Sequence, residues 1–151
     1  MLTSDWQISG ILSARSGGHV SATTGVDNAL NGQANQRPNK ILDNVYQKEG
    51  YRWLNPAAFA APATGAFGNL VNNSLIGPSR FNIDMGLVRS FRIGGSRQVQ
   101  FRAEGTNIFN HPNLDQPGTA VPAAGSTSPT FGISSSAGSM RKLQFGASLT
   151  F

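Results

Sequence analysis

Apolar and polar residues alternate with a period of two in four separated stretches, which predicts four β-strands at about 6–15, 80–92, 98–109 and 141–151. In the first, Trp6, Ile8, Gly10, Leu12 and Ala14 fall on one face and Gln7, Ser9, Ser13 and Arg15 on the other, with Ile11 breaking the polar side. In the second, Phe81, Ile83, Met85, Leu87 and Phe91 share a face that Arg89 interrupts, and Val88 is the exception on the polar side. In the third, Val99, Phe101, Ala103, Gly105 and Phe109 oppose Gln100, Arg102, Glu104 and Thr106. The last, RKLQFGASLTF, alternates Leu143, Phe145, Ala147, Leu149 and Phe151 with Lys142, Gln144, Ser148 and Thr150. Each is about as long as a tilted strand that crosses a bilayer.

The connections alternate in length. Ile93-Gly94-Gly95-Ser96 is a strong hairpin signal. Both strands it joins carry apolar residues at odd positions, so an even register matches their faces. One such register sets Phe91 opposite Val99 and Leu87 opposite Ala103, and leaves Arg102 and Glu104 near Asp84. By contrast, 25–79 and 110–140 are long stretches of Gly, Pro, Ser, Thr and Asn, expected to be irregular loops. Within the first, Trp53, Leu54, Phe59 and Phe67 are expected to tie the loop to itself or to a neighbour, and 19–24 either continues strand one or pairs locally. Asn72-Asn73-Ser74 matches a glycosylation sequon but is expected to be a plain turn. Short turns on one side and long loops on the other are the arrangement of transmembrane barrels. If Phe151 ends on the periplasmic side, the hairpin turn falls there too and both long loops fall outside. Arg89 tests this reading, because at the bilayer midplane it would cost about 2–4 kcal/mol. Near a strand end it can snorkel instead.

Composition supports a β-rich chain with long loops. Only 13% of residues are charged and Gly numbers 18, against about 25% charged in soluble domains. No sustained helical stripe or long apolar run is present. The net charge of +5 comes from dispersed basic residues without a stacking stripe, so nucleic acid is not an expected partner. The absence of cysteine excludes disulfides and thiolate metal sites. His19 and His111, the two histidines, have no metal-site spacing and are expected in loops. No metal, cofactor or catalytic residue is expected. Asp84, Arg102, Glu104 and Lys142 are expected to be lumen-facing charges, with the mixed-sign set forming an interior salt-bridge lattice rather than an acid/base pair. The N-terminal stretch MLTSDWQISGILSA has no basic n-region and no continuous apolar core, so it is not expected to be a secretory signal. Four strands do not close a barrel, so the chain is expected to be the tail of a longer exported protein.

The stretches WLNPAAFAAPATGAFGNLVNNSLIGPSRFNIDMGLVRSFRI, QFRAEGTNIFNHPNLDQPG and FGISSSAGSMRKLQFGASLTF resemble the C-terminal end of TonB-dependent outer-membrane receptors. The nearest type is the Oar-like one with a carboxypeptidase-regulatory-like N-terminal domain. The resemblance runs from about residue 5 to 151 and is most specific at NxFNHPN, 107–113, and in the last strand. It implies an all-β, antiparallel up-and-down fold: the last four strands of a transmembrane barrel of about 22 strands, with two long external loops. It also implies a cell outer-membrane location in a Gram-negative bacterium and partners in outer-membrane lipid, the remaining strands and plug, and the barrel-assembly machinery. TonB would be reached only through an N-terminal part not in this sequence. By the same resemblance, Leu143, Phe145, Ala147, Leu149 and Phe151 form a barrel-assembly signal, with Leu149 where the family usually has an aromatic. Transport by these strands alone is not expected. A secreted or soluble β-rich, adhesin-like binding module is the competing reading.

Overall fold

The computed structural model describes residues 5–123 and 128–151. Residues 1–4 and part of the second expected loop, 124–127, therefore lie outside the description. In chain order the strands are β1 (Trp6–Arg15), β2 (His19–Val20), β3 (Asn39–Lys40), β4 (Tyr46–Glu49), β5 (Arg52–Leu54), β6 (Phe59–Ala60), β7 (Leu75–Ile76), β8 (Arg80–Gly94), β9 (Arg97–Thr106) and β10 (Lys142–Thr150). They divide between two compact units.

The first unit is a four-stranded antiparallel sheet in the order β1-β8-β9-β10. Period-two alternation makes register decisive, since a one-residue slip would turn every apolar side chain to the other face. The expected register holds: Phe91 lies opposite Val99 and Leu87 opposite Ala103. The hairpin turns through Gly95, whose φ of 59° is the positive value that two-residue hairpin turns need at the first central position and that glycine adopts without strain. Strand β8 runs two residues further than expected, pairing Gly94 with Arg97. Strand β9 stops at Thr106 rather than 109. There Asn107 takes a φ of 49°, a left-handed conformation that leaves the extended region and that Asn tolerates better than most residues. Phe109 is thus past the strand, 68% exposed, and does not belong to its apolar face. The last strand begins at Lys142, one residue later than expected, and ends at Thr150.

The second unit spans 16–79 and 114–138, and it corrects the expectation of irregular loops. Three two-stranded sheets form, β2 with β7, β3 with β6 and β4 with β5. Residues 19–24 do pair locally, and His19 sits in β2 rather than in a loop. A core of Val20, Ala22, Leu54, Ala58, Phe59, Leu70, Leu75, Val121 and Phe131 lies between the two segments. Backbone bonds stitch them together: Thr23 N–H donates to Thr119 O, Val121 N–H to Thr23 O, and both Trp53 and Leu54 N–H to Gly132 O. Trp53 Nε1 donates to Ile76 O at 2.7 Å, and Tyr46 Oη accepts from Ile76 N–H at 2.8 Å. The Lys48 ammonium lies about 5 Å from both rings, 5.1 Å from Tyr46 and 5.2 Å from Trp53. Trp53, Leu54 and Phe59 thus hold the loop to itself as expected. Phe67 does not, being 64% exposed.

Polar residues finish this unit. Gln36 is buried and its amide nitrogen donates to Asp27, Asn31 and Gln33 O, while its oxygen accepts from Ala29 N–H. Asn55 caps the short 3-10 turn Pro56–Ala58, accepting from Ala57 N–H, a capping role for which Asn is among the best residues. Asn72 and Asn73 form a turn, with Asn73 at a φ of 56°, as the sequon was expected to do. On the surface Lys40 donates to Asp43 at 2.8 Å. That hydrogen bond and the neighbouring positive charge hold the Asp43 carboxyl below its ordinary range.

Candidate functional site

The four-stranded sheet presents two chemically opposite surfaces. Registers β1–β8, β8–β9 and β9–β10 align the apolar positions across all four strands: Ile8 with Leu87, Leu87 with Ala103, and Ala103 with Phe145. Large apolar side chains on this face are exposed, Ile8 at 70%, Leu12 at 64% and Phe145 at 76%. An apolar surface of this extent on one layer of strands is one that water does not normally meet.

Charge marks two levels of the sheet, the Arg15–Arg80 pair on its polar face and Arg89 on its apolar one. Arg15 and Arg80 are paired at the loop end, and Trp6 and Arg89 at the turn end. Nine residues separate the two levels on each strand, a length of ~31 Å along a strand. At the tilt of about 40° usual in membrane barrels this spans ~23 Å along the normal, close to the ~25 Å apolar band such barrels show. A band of that height starting at the Arg15–Arg80 level would end at the level of Arg89. Its guanidinium carbon lies 4.6 Å from the Trp6 ring centroid and 4.4 Å from that of Phe91, within cation–π range of both.

The other face is polar. Asp84, Arg102, Glu104 and Lys142 all lie on it, together with Gln7, Ser9, Asn82, Gln100 and Gln144. The lattice expected among its charges is not what forms. Arg102 and Glu104 are paired at 3.3 Å. Asp84 instead accepts from Asn82 Nδ2 at 2.7 Å and from Asn107 N–H at 2.9 Å. In register, Glu104 faces Gly86 and Arg102 faces Val88, too far along the strand for Asp84 to join their pair. Asp84 is drawn instead to the backbone where β9 ends. Ile11 and Val88 remain as apolar residues on this side.

The NxFNHPN motif is a clasp at the loop end of the sheet. Asn107 is buried; its Oδ1 accepts from His111 N–H at 2.9 Å, and its Nδ2 donates to His111 O and to Ser139 O. Asn110 Oδ1 accepts from Arg141 N–H at 3.0 Å, just before β10, and Asn113 Oδ1 accepts from Phe81 N–H at 2.7 Å in β8. Ile108 N–H donates to Ile83 O. Three asparagines thus reach the start of β8, the end of β9 and the start of β10. His111 is part of the same corner, its ring edge-on to Phe81 at 5.9 Å, while His19 contacts Asn73 O.

Sequence reasoning could flag the motif as unusual but not assign its partners, which lie up to 33 positions away in sequence. Asn107→Ala removes three hydrogen bonds from a buried corner and puts a side chain without local hydrogen bonding at a positive φ. A loss of about 2–3 kcal/mol is expected, read from denaturant unfolding of the chain in detergent, with Asn113→Ala costing less because it removes fewer bonds.

Comparison with known proteins agrees with this geometry. No curated protein and no solved structure matches the chain. A family model described as an outer membrane beta barrel domain matches residues 1–144. The chain, whose four-stranded antiparallel sheet has one apolar and one polar face, belongs to the outer membrane beta barrel domain family.

Proposed function

We propose that this chain supplies strands of a TonB-dependent outer-membrane transporter of the Oar-like type. Its β10 would serve as the terminal strand and carry the assembly signal in Leu143, Phe145, Ala147, Leu149 and Phe151. The observation that best supports this reading is the clasp. The residues of NxFNHPN, the most specific part of the resemblance, are the ones that bind three strand ends together. In β10, Leu143, Phe145, Ala147 and Leu149 form one continuous apolar row facing Gly105, Ala103, Phe101 and Val99, with Phe151 following. On this reading the free edge of β10 pairs with a further barrel strand, the polar face looks into the lumen, and Asp84, Arg102, Glu104 and Lys142 line it. Transport would require the plug and the remaining strands.

An antibody against residues 110–123 tests the proposal on fractionated cells. A band in the outer membrane far larger than 15.9 kDa, retained on a column of the TonB periplasmic domain, is the expected result. A 15.9 kDa product in the soluble or secreted fraction would instead support the β-rich binding module.

A further inference from the structure

Asn31-Gly32 is the one Asn-Gly pair in the chain, and both residues are exposed. The surrounding loop, 27–36, contacts the two atoms that an internal ring closure would use, each with the kind of group that closure needs. Gly32 N–H donates to Asp27 Oδ2 at 2.7 Å. Asn31 Oδ1 accepts from Gln33 N–H at 3.0 Å and from Gln36 Nε2 at 2.9 Å. A base thus sits on the backbone nitrogen, and two donors sit on the oxygen of the adjacent side-chain amide. Both supports are themselves held in place. Asp27 Oδ1 accepts from Asn31 N–H at 3.1 Å and from Gln36 Nε2 at 2.7 Å. Gln36 is buried, and its Oε1 accepts from Ala29 N–H at 2.8 Å. Gly32 has a φ of 81° and open space where a Cβ would stand, so no side chain shields its nitrogen.

We propose that Asn31-Gly32 is a self-modifying site, which its own loop converts to aspartate or isoaspartate through a succinimide. The Gly32 nitrogen attacks Asn31 Cγ while Asp27 Oδ2 takes its proton, the role of a general base. The new N–Cγ bond puts negative charge on Asn31 Oδ1, where the Gln33 and Gln36 donors already point, as in an oxyanion hole. Collapse of that intermediate restores the carbonyl and breaks the Cγ–Nδ2 bond. The amide nitrogen leaves as ammonia, carrying the proton that Asp27 returns. Water then opens the ring. Its attack at Cγ gives aspartate, and its attack at the backbone carbonyl gives isoaspartate, in which the chain runs through the former side chain. Nucleophile and electrophile belong to adjacent residues, so little freedom is lost in bringing them together. Either product sets a second carboxylate beside Asp27, where like charges repel, and the turn that Asp27 now holds is loosened.

The test incubates the full chain in detergent at neutral pH beside a free peptide with the sequence of residues 25–38. Peptide mapping by mass spectrometry, after proteolysis in acid, follows loss of the amide at position 31 and separates the two products. The folded chain is expected to convert about tenfold or more faster than the peptide, a modest share of what a positioned base contributes. Asp27→Asn keeps an acceptor for the Gly32 N–H but removes the base, and should bring the rate down to that of the peptide. Asp43→Asn, which removes a carboxylate bonded to Lys40 instead, should leave the rate unchanged. Circular dichroism checks that each variant keeps its strand content. Hydrogen bonds that served only to hold the loop would restrain the turn and oppose closure. A folded chain that converts no faster than the peptide would therefore overturn the site, and this comparison needs no variant to fold. Equal rates in wild type and Asp27→Asn would overturn it as well.

Discussion

Leu143→Arg is expected to destabilise the sheet in a lipid bilayer by about 2–4 kcal/mol, whereas Gln144→Arg, one residue along, is expected to change stability by no more than about 1 kcal/mol. The two positions share a depth and differ in face. Leu143 is aligned with Gly105 and, through it, with Met85 and Gly10, midway between the basic pair at the loop end and Arg89 at the turn end. An arginine there has the longest way to either interface, so snorkelling helps it least. Gln144 looks to the polar side, directly across from Glu104, where an added cation gains a cross-strand partner of opposite charge. Urea unfolding of the chain reconstituted in vesicles measures both. Equal losses would mean that the apolar face is not the lipid-facing one.

Phe131→Ala should cost the second unit about 3–5 kcal/mol, the range for truncating a large buried aromatic ring. Phe131 is 1% exposed and packs edge-on against Phe59 at 5.3 Å. Its neighbour Gly132, at a φ of 73°, turns its carbonyl to accept from both Trp53 and Leu54, and a Cβ there would meet Leu54 O at 2.7 Å. Removing the ring therefore leaves a cavity where the two loop segments are joined. Phe67→Ala is the matched control, since that ring is 64% exposed and its loss should fall within about 0.5 kcal/mol. Limited proteolysis of the 16–79 segment reports the difference: Phe131→Ala should be cut many times faster than wild type and Phe67→Ala at the wild-type rate. Comparable resistance of both variants would show that the loops do not depend on this core.

These two expectations draw on different layers of information. The faces of Leu143 and Gln144 follow from chain alternation alone, because successive side chains on a strand must point opposite ways. The hairpin register was legible for the same reason: a tight glycine turn and two rows of odd apolar residues leave few ways to align Phe91 with Val99. Phe131 and Phe67 are alike in sequence, each an aromatic beside glycine in a polar stretch. Nothing local distinguishes a ring that is buried from one that is exposed.

By itself, then, the sequence determined four amphipathic strands, the register of the one hairpin and the membrane-like contrast between the faces, since each depends on neighbours two residues apart or on one short turn. Tertiary structure alone decided that the long loops share a core of their own and that the NxFNHPN asparagines serve strand ends. It also decided that Asp84 is bonded to Asn107 rather than to Arg102, and that Arg89 is sandwiched between Trp6 and Phe91. Each of these outcomes joins residues with no repeating spacing between them. Thr23 meets Thr119 and Trp53 meets Gly132 across separations whose closure no local pattern encodes. Period-two chemistry is written along the chain, but contacts between loops exist only once the chain has folded back on itself.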